Sequence, residues 1–121
     1  MISVVVIDND STYRAAVAEA VASVSDLQLV GLASTVVDGL QLVAALLPDV
    51  VVVDVRMPDG GGPRLARELT ARHPDCKVVA ISVQTDREIV EEMRAAGAVS
   101  YVAKDSSVET LFEALRSAGA R

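Results

Sequence analysis

Four polar residues of this 121-residue chain each close or follow a short apolar run: Asp8, Asp54, Ser82 and Lys104. Two carboxylates brought close together repel, and one takes up a proton unless a cation compensates. A hard cation such as Mg²⁺ suits such a pair, because it uses one or two carboxylates together with waters and phosphate oxygens. A lysine adds a point positive charge fitted to a phosphoryl oxygen. A serine hydroxyl can donate a hydrogen bond to another such oxygen. Nucleophilic carboxylate, cation site, lysine and hydroxyl are the parts of an in-line phosphoryl transfer to a carboxylate. Asp54 is the expected nucleophile.

The elements around these residues follow from hydrophobic period. Asp54 ends the valine run Val50–Val53, inside the stretch Asp49–Gly62 that closes with Met57-Pro58 and a glycine-rich loop. An unbroken β-branched run bounded by turn residues reads as a strand buried on both faces, as in the centre of a parallel sheet. Ile2–Ile7, Leu27–Ala33, Lys77–Ser82 and Ala98–Ala103 read as four further strands. Between them the apolar period becomes helical. Tyr13, Val17, Ala20, Val21 and Val24 share one face after an Asp10 or Ser11 cap, and Asp26 closes that helix. Ser34 is the expected cap of a second helix carrying Val36, Leu40, Val43 and Leu47 inward, with Pro48 as its stop. Pro63 suits the first turn of a third helix, with Leu65, Ala66 and Leu69 inside and His73-Pro74 at its end. Thr85 with Glu88 and Ser106 with Glu109 have capping-box spacing. The fourth helix turns Ile89, Val90 and Met93 inward and ends at Ala96-Gly97; the fifth has Val108, Leu111, Phe112 and Leu115 at core spacing. Five strand–helix repeats with short connections predict one α/β domain over residues 1–121: a five-stranded doubly wound parallel sheet. Its strands' carboxyl ends share one edge, the edge where such folds bind ligands. That edge gathers all four polar residues.

Composition narrows the classes. Hydrophobic residues are 51% of the chain, which excludes disorder, and the apolar runs are too short to span a bilayer. The start lacks a basic segment followed by a long apolar stretch, so no signal peptide is expected. A single cysteine, Cys76, rules out an internal disulfide and fits a reducing cytoplasm; it is expected to be an inert loop thiol. His73, the only histidine, is expected at a helix end on the surface. The net charge of −6 disfavours direct nucleic-acid binding, and 2% aromatic residues give no stacking platforms for single strands.

From end to end the chain resembles a receiver domain of the response regulators of bacterial two-component signalling. The resemblance rests on the acidic turn Asp8-Asn9-Asp10, Asp54 with Met57-Pro58 and the following glycines, Ser82, Tyr101 and Lys104. It implies a flavodoxin-like (βα)5 fold with strand order 2-1-3-4-5. It further implies that Asp54 is the phosphoacceptor, that Asp8 and the Arg56 backbone carbonyl help hold Mg²⁺, and that Lys104 contacts the phosphoryl group. Ser82 would be the switch hydroxyl and Tyr101 the aromatic that changes rotamer with it. The phosphodonor would be a sensor histidine kinase. The output face would be the fourth helix, fifth strand and fifth helix, roughly Asp86–Ser117, often read through dimerisation. Lys104-Asp105 resembles the NarL/LuxR class, which joins the receiver to a DNA-binding helix-turn-helix and so implies transcriptional control.

One departure stands out. The family usually places two adjacent acids in the first turn, and the second is normally a direct metal ligand; here it is Asn9, with Asp10 one residue later. The expectation is weaker Mg²⁺ binding and slower phosphorylation, with Asp10 acting either as a helix cap or through water. In the family, side chains two residues beyond the phosphoacceptor and beyond the switch hydroxyl line the path of the hydrolytic water. Those are Arg56 and Gln84, and a bulky Arg56 implies a long-lived acyl phosphate. Asn9 also keeps open an alternative, a degenerate receiver that acts as a phosphorylation-independent interaction module. A flavodoxin-like ligand binder would need a phosphate-cradling loop after the first strand, where this chain is acidic. An acyl-phosphate hydrolase would need a cap domain that this chain lacks.

Overall fold

The four valines of β3 (Val50–Asp54) are fully buried, and they sort alternately onto two cores. Val51 and Val53 join a cluster with Val36, Val43, Leu65, Leu69 and Met93; Val50 and Val52 join one with Val17, Val21, Leu111, Phe112 and Leu115. A strand with side chains on both faces can be buried on both only if helices cover each side. The computed structural model, which describes residues 1–58, 61–83 and 87–120, has that arrangement.

In chain order the elements are β1 (Ile2–Ile7), α1 (Ser11–Ala22), β2 (Leu27–Ala33), α2 (Val36–Leu46), β3, α3 (Gly61–Arg72), β4 (Lys77–Ser82), α4 (Arg87–Ala95), β5 (Ala98–Ala103) and α5 (Val108–Gly119). The five strands form one sheet in the order β2-β1-β3-β4-β5, each neighbouring pair parallel. Helices α1 and α5 cover one face and α2, α3 and α4 the other. The five predicted strands keep their predicted bounds, because an apolar run between turn residues leaves little freedom in register.

Helix ends differ more. α1 stops at Ala22, with Ser23 closing it, four residues before Asp26. Asp26 instead pairs with Arg116 of α5, accepting at 2.6 and 3.0 Å. Thr35, not Ser34, caps α2 by accepting from the Asp38 N–H, and Ser107, not Ser106, caps α5 by accepting from the Thr110 N–H. In each case two adjacent hydroxyl residues compete, and the one whose backbone is extended at the helix entry takes the role. Leu47 is 61% exposed, because it adopts the left-handed cap conformation (φ 46°) that swings it off the inward face; Val108, in the first turn of α5, is also exposed. The Thr85–Glu88 box involves Thr85, which lies outside the described residues. Cys76 is buried within a core cluster, so it is a packing residue as well as a loop thiol; burial, with Asp75 and Asp49 nearby, pushes its pKa up. No helix among the described residues is long and apolar enough to cross a membrane.

Two glycines set close approaches. At Gly97 (φ +110°) a Cβ would strike the Thr70 side chain, so the chain leaving α4 accepts only glycine. At Gly62 a Cβ would lie 2.6 Å from both the Asp54 carbonyl oxygen and Val55 Cα. The absent side chain lets the start of α3 press directly against the end of β3, with the Gly62 N–H donating to the Val55 carbonyl at 2.9 Å.

Candidate functional site

The parallel strands deliver four polar side chains to one edge. Asp8 follows β1 and is 0% exposed, Asp54 ends β3 at 4%, and Ser82 ends β4 at 0%; these are the buried polar residues among those described. Lys104 follows β5, and its backbone N–H donates to the Ser82 carbonyl at 2.9 Å, extending the β4–β5 ladder one step past the strand ends. In the same manner the Val55 N–H donates to Ile81. The sheet therefore fixes the backbones of the two loops to each other before any side chain is considered.

Side chains then converge. Lys104 Nζ lies 2.7 Å from Asp8 Oδ2 and 3.5 Å from Asp54 Oδ2, with only 11% of the lysine side chain exposed. Asp8 Oδ1 accepts from the Asp10 N–H at 2.9 Å, and Asp54 Oδ1 accepts from the Arg56 N–H at 3.1 Å. Asp8 Oδ2 is buried with no hydrogen-bond partner among the described residues, its contact with Lys104 being an ion pair without hydrogen-bond geometry. Burial pushes the Asp54 pKa up from 3.8 to about 6; the facing Asp8 carboxyl adds to the rise, and the Arg56 N–H and Lys104 oppose it. The site thus holds two carboxylates that one lysine incompletely neutralises.

That deficit fits a divalent cation. Two buried carboxylates that share one lysine, one of them with a raised pKa, are a donor pair that a cation would relieve. Among the described residues there is no group of three His, Cys, Asp or Glu that could hold a metal ion.

The remaining sequence-predicted residues divide. Asn9 is exposed at the turn. Asp10 is the cap of α1, accepting from the Thr12 and Tyr13 N–H groups, so its carboxylate is committed to the helix. Arg56 has an exposed side chain, and its backbone N–H is its tie to Asp54. Tyr101 sits half-buried on β5 opposite Ala80, packed against the α2–α4 core. Gln84 lies outside the described residues.

Two residues of α1 belong to the site: Tyr13, expected on the core face of the helix, and Arg14, which the sequence reading did not single out. Arg14 donates from its guanidinium to the Asp8 carbonyl. The Tyr13 ring lies under Lys104, 4.8 Å from Nζ to centroid. Burial and the charges of Asp8 and Asp54 push the Tyr13 phenol up to about 12. Their placement one turn beyond the acidic loop was the available signal, since a capped helix starting there must turn its first residues back over the strand ends.

A doubly wound sheet with a buried acid pair and a lysine at its carboxyl edge defines a class of proteins. The sequence matches the response regulator receiver domain family over residues 4–116, and the chain belongs to that family, which serves two-component signalling. It is 36% identical to the response regulator GacA of Pseudomonas aeruginosa over 116 residues, 96% of this chain and 54% of that protein. It is 34% identical to the DNA-binding transcriptional activator DevR/DosR of Mycobacterium tuberculosis, over 99% of this chain and 55% of that protein. The chain therefore spans about half the length of these relatives. Among solved structures it superposes on the signal receiver domain of the response regulator NarL from Mycobacterium tuberculosis with a TM-score of 0.91. The match covers 99% of this chain and 98% of that one at 30% identity.

Proposed function

We propose that this receiver takes a phosphoryl group onto Asp54 from the phosphohistidine of a sensor kinase. An Asp54 carboxylate oxygen attacks phosphorus in line; the P–N bond breaks and its electron pair returns to the imidazole of the donor. The chain would catalyse only its own phosphorylation and dephosphorylation. Lys104, already within the acid pair, meets the charge on the transferred oxygens, and the Ser82 hydroxyl would donate to a further oxygen. Asp8, Asp54, the Asn9 side-chain carbonyl and the Arg56 backbone carbonyl would hold Mg²⁺, which when bound supplies charge neutralisation to the acceptor and the phosphoryl oxygens. The observation that carries this reading is a pair of buried carboxylates, Asp8 and Asp54, that share one lysine at 2.7 and 3.5 Å.

The acyl phosphate adds negative charge and acceptor oxygens at the sheet edge. Ser82 and Lys104 are drawn toward it, and Tyr101, half-buried one strand over, follows into space that Ser82 vacates. The α4–β5–α5 face changes accordingly, a two-state element that a partner or a second copy can read. Because a relative of about twice this length is a DNA-binding transcriptional activator, the regulated output in this reading is a C-terminal DNA-binding domain in a longer protein, with this domain making no nucleic-acid contact of its own. The exposed Asn9 favours one competing reading, a receiver that works without phosphorylation.

The deciding experiment is intact mass after incubation with a small-molecule phosphodonor and Mg²⁺. The expected result is an added mass of about 80 Da in wild type, absent in Asp54→Ala. Absence of an adduct in wild type at saturating Mg²⁺ would establish the phosphorylation-independent reading.

A further inference from the structure

The Lys104 ammonium has three N–H directions and three neighbours: Asp8 at 2.7 Å, Asp54 at 3.5 Å and the face of Tyr13 at 4.8 Å. Two of these neighbours change in the proposed reaction. Asp54 becomes an acyl phosphate, and Asp8 is the carboxylate that a cation engages. The third neighbour does not change, since the phenol stays protonated through the physiological range. We propose that the Tyr13 ring is a positioning residue for Lys104, holding the ammonium over the acid pair while its carboxylate partners exchange. This rests on the reading of Asp54 as phosphoacceptor.

The physical case has two parts. A lysine stem has four rotatable carbons and a compact, strongly hydrated head, so an ammonium released by Asp8 would move out toward water. An aromatic face attracts a cation without forming a bond that must later be broken, most strongly where water is scarce, and here the lysine side chain is only 11% exposed. The ring also packs against the core cluster of Val17, Leu111 and Phe112. Tyr13 is half-buried and lines the inner end of a groove of about 490 Å³ between α1 and α5, floored by Val17, Leu111 and Phe112. The ring thus has the core on one side, an open groove on another and the ammonium above it.

The test uses Tyr13→Leu, which keeps apolar bulk without the ring face, and Tyr13→Phe, which keeps the face. The first measurement needs no phosphorylation: the NMR shifts of the Lys104 ε-methylene protons. Ring-current shielding is expected in wild type and Tyr13→Phe and lost in Tyr13→Leu; identical shifts in all three overturn the contact. The second is the rate of phosphorylation by a small-molecule donor. Tyr13→Leu is expected to slow it about three- to tenfold, the range of a partly desolvated cation–π contact, with Tyr13→Phe restoring it. In a Lys104→Met background Tyr13→Leu should add no further slowing, whereas a structural defect would slow both backgrounds alike and overturn the proposal. If wild type takes up no phosphate, the Asp54 reading fails by itself, and the ε-methylene shifts alone decide the Tyr13–Lys104 contact.

Discussion

Lys104 is paired more closely with Asp8 than with Asp54, at 2.7 Å against 3.5 Å. The lysine therefore stands partly in the place where a cation would be needed. Removing it leaves two buried carboxylates without the ammonium that pairs them, the costly half of a broken ion pair. Lys104→Met is expected to lose about 2–4 kcal/mol of stability at pH 7 without divalent cation, and to recover most of it in Mg²⁺. Urea unfolding with and without Mg²⁺ checks this. A variant as stable as wild type in chelator would mean that the ion pair contributes nothing net.

Asp54 gives a pH dependence of definite sign. Its folded pKa is raised from 3.8 to about 6, so the folded state binds the proton more tightly and stability falls as pH rises from about 4 to about 6. Below that window the acid is neutral in both states; above it the full penalty is present, up to about 3 kcal/mol. Asp54→Asn should therefore be more stable than wild type at pH 7 in metal-free buffer, by about 1–3 kcal/mol. The gain should vanish near pH 4. Denaturation midpoints across pH 3.5–8 measure it, and a gain that persists at pH 4 would assign it to something other than ionisation.

Asn9 is exposed beside the acid pair, and Asp10 is occupied with the cap of α1. Asn9→Asp is expected to tighten Mg²⁺ binding about tenfold, as added ligand charge does at hard-cation sites, and to speed phosphorylation. A Mg²⁺ titration followed by tyrosine fluorescence, in a chain with two tyrosines and no tryptophan, reads the change. Equal affinities would show that Asn9 lies outside the cation's reach.

Arg56 presents an exposed side chain immediately beyond the Asp54 loop. Replacing it with asparagine removes bulk from the approach to an acyl phosphate while keeping the backbone N–H that holds Asp54 Oδ1. Autodephosphorylation of Arg56→Asn should be faster by about two- to tenfold, on the order of 1 kcal/mol in the barrier. Decay at the wild-type rate would show that the side chain leaves the water's path open.

The strands and the four strand-end residues were legible in the sequence because both depend on short-range pattern. A valine run such as Val50–Val53 has one stable environment, and the residue ending it has one destination. The helix caps were less legible: Ser34-Thr35 and Ser106-Ser107 offer two hydroxyls each, and the choice depends on backbone geometry set by packing. Leu47 kept the helical spacing of Val36 and Val43 but lost its place to a left-handed cap. Tyr13 was placed correctly on the inner side of α1, yet its neighbour there is Lys104, ninety-one positions later in the chain. A contact of that span depends on sheet order and loop path, which no local period encodes.

The hydrogen bond from the Lys104 N–H to the Ser82 carbonyl laces together the two chains that carry the hydroxyl and the ammonium. They are separate residues in sequence but share one degree of freedom in space. A displacement of one loop without the other would strain this backbone bond. States in which only one has moved are penalised by the cost of a broken, buried peptide hydrogen bond. Under the proposed switch, the two loops are thus tied through the sheet's ladder as well as through the side chains of the site.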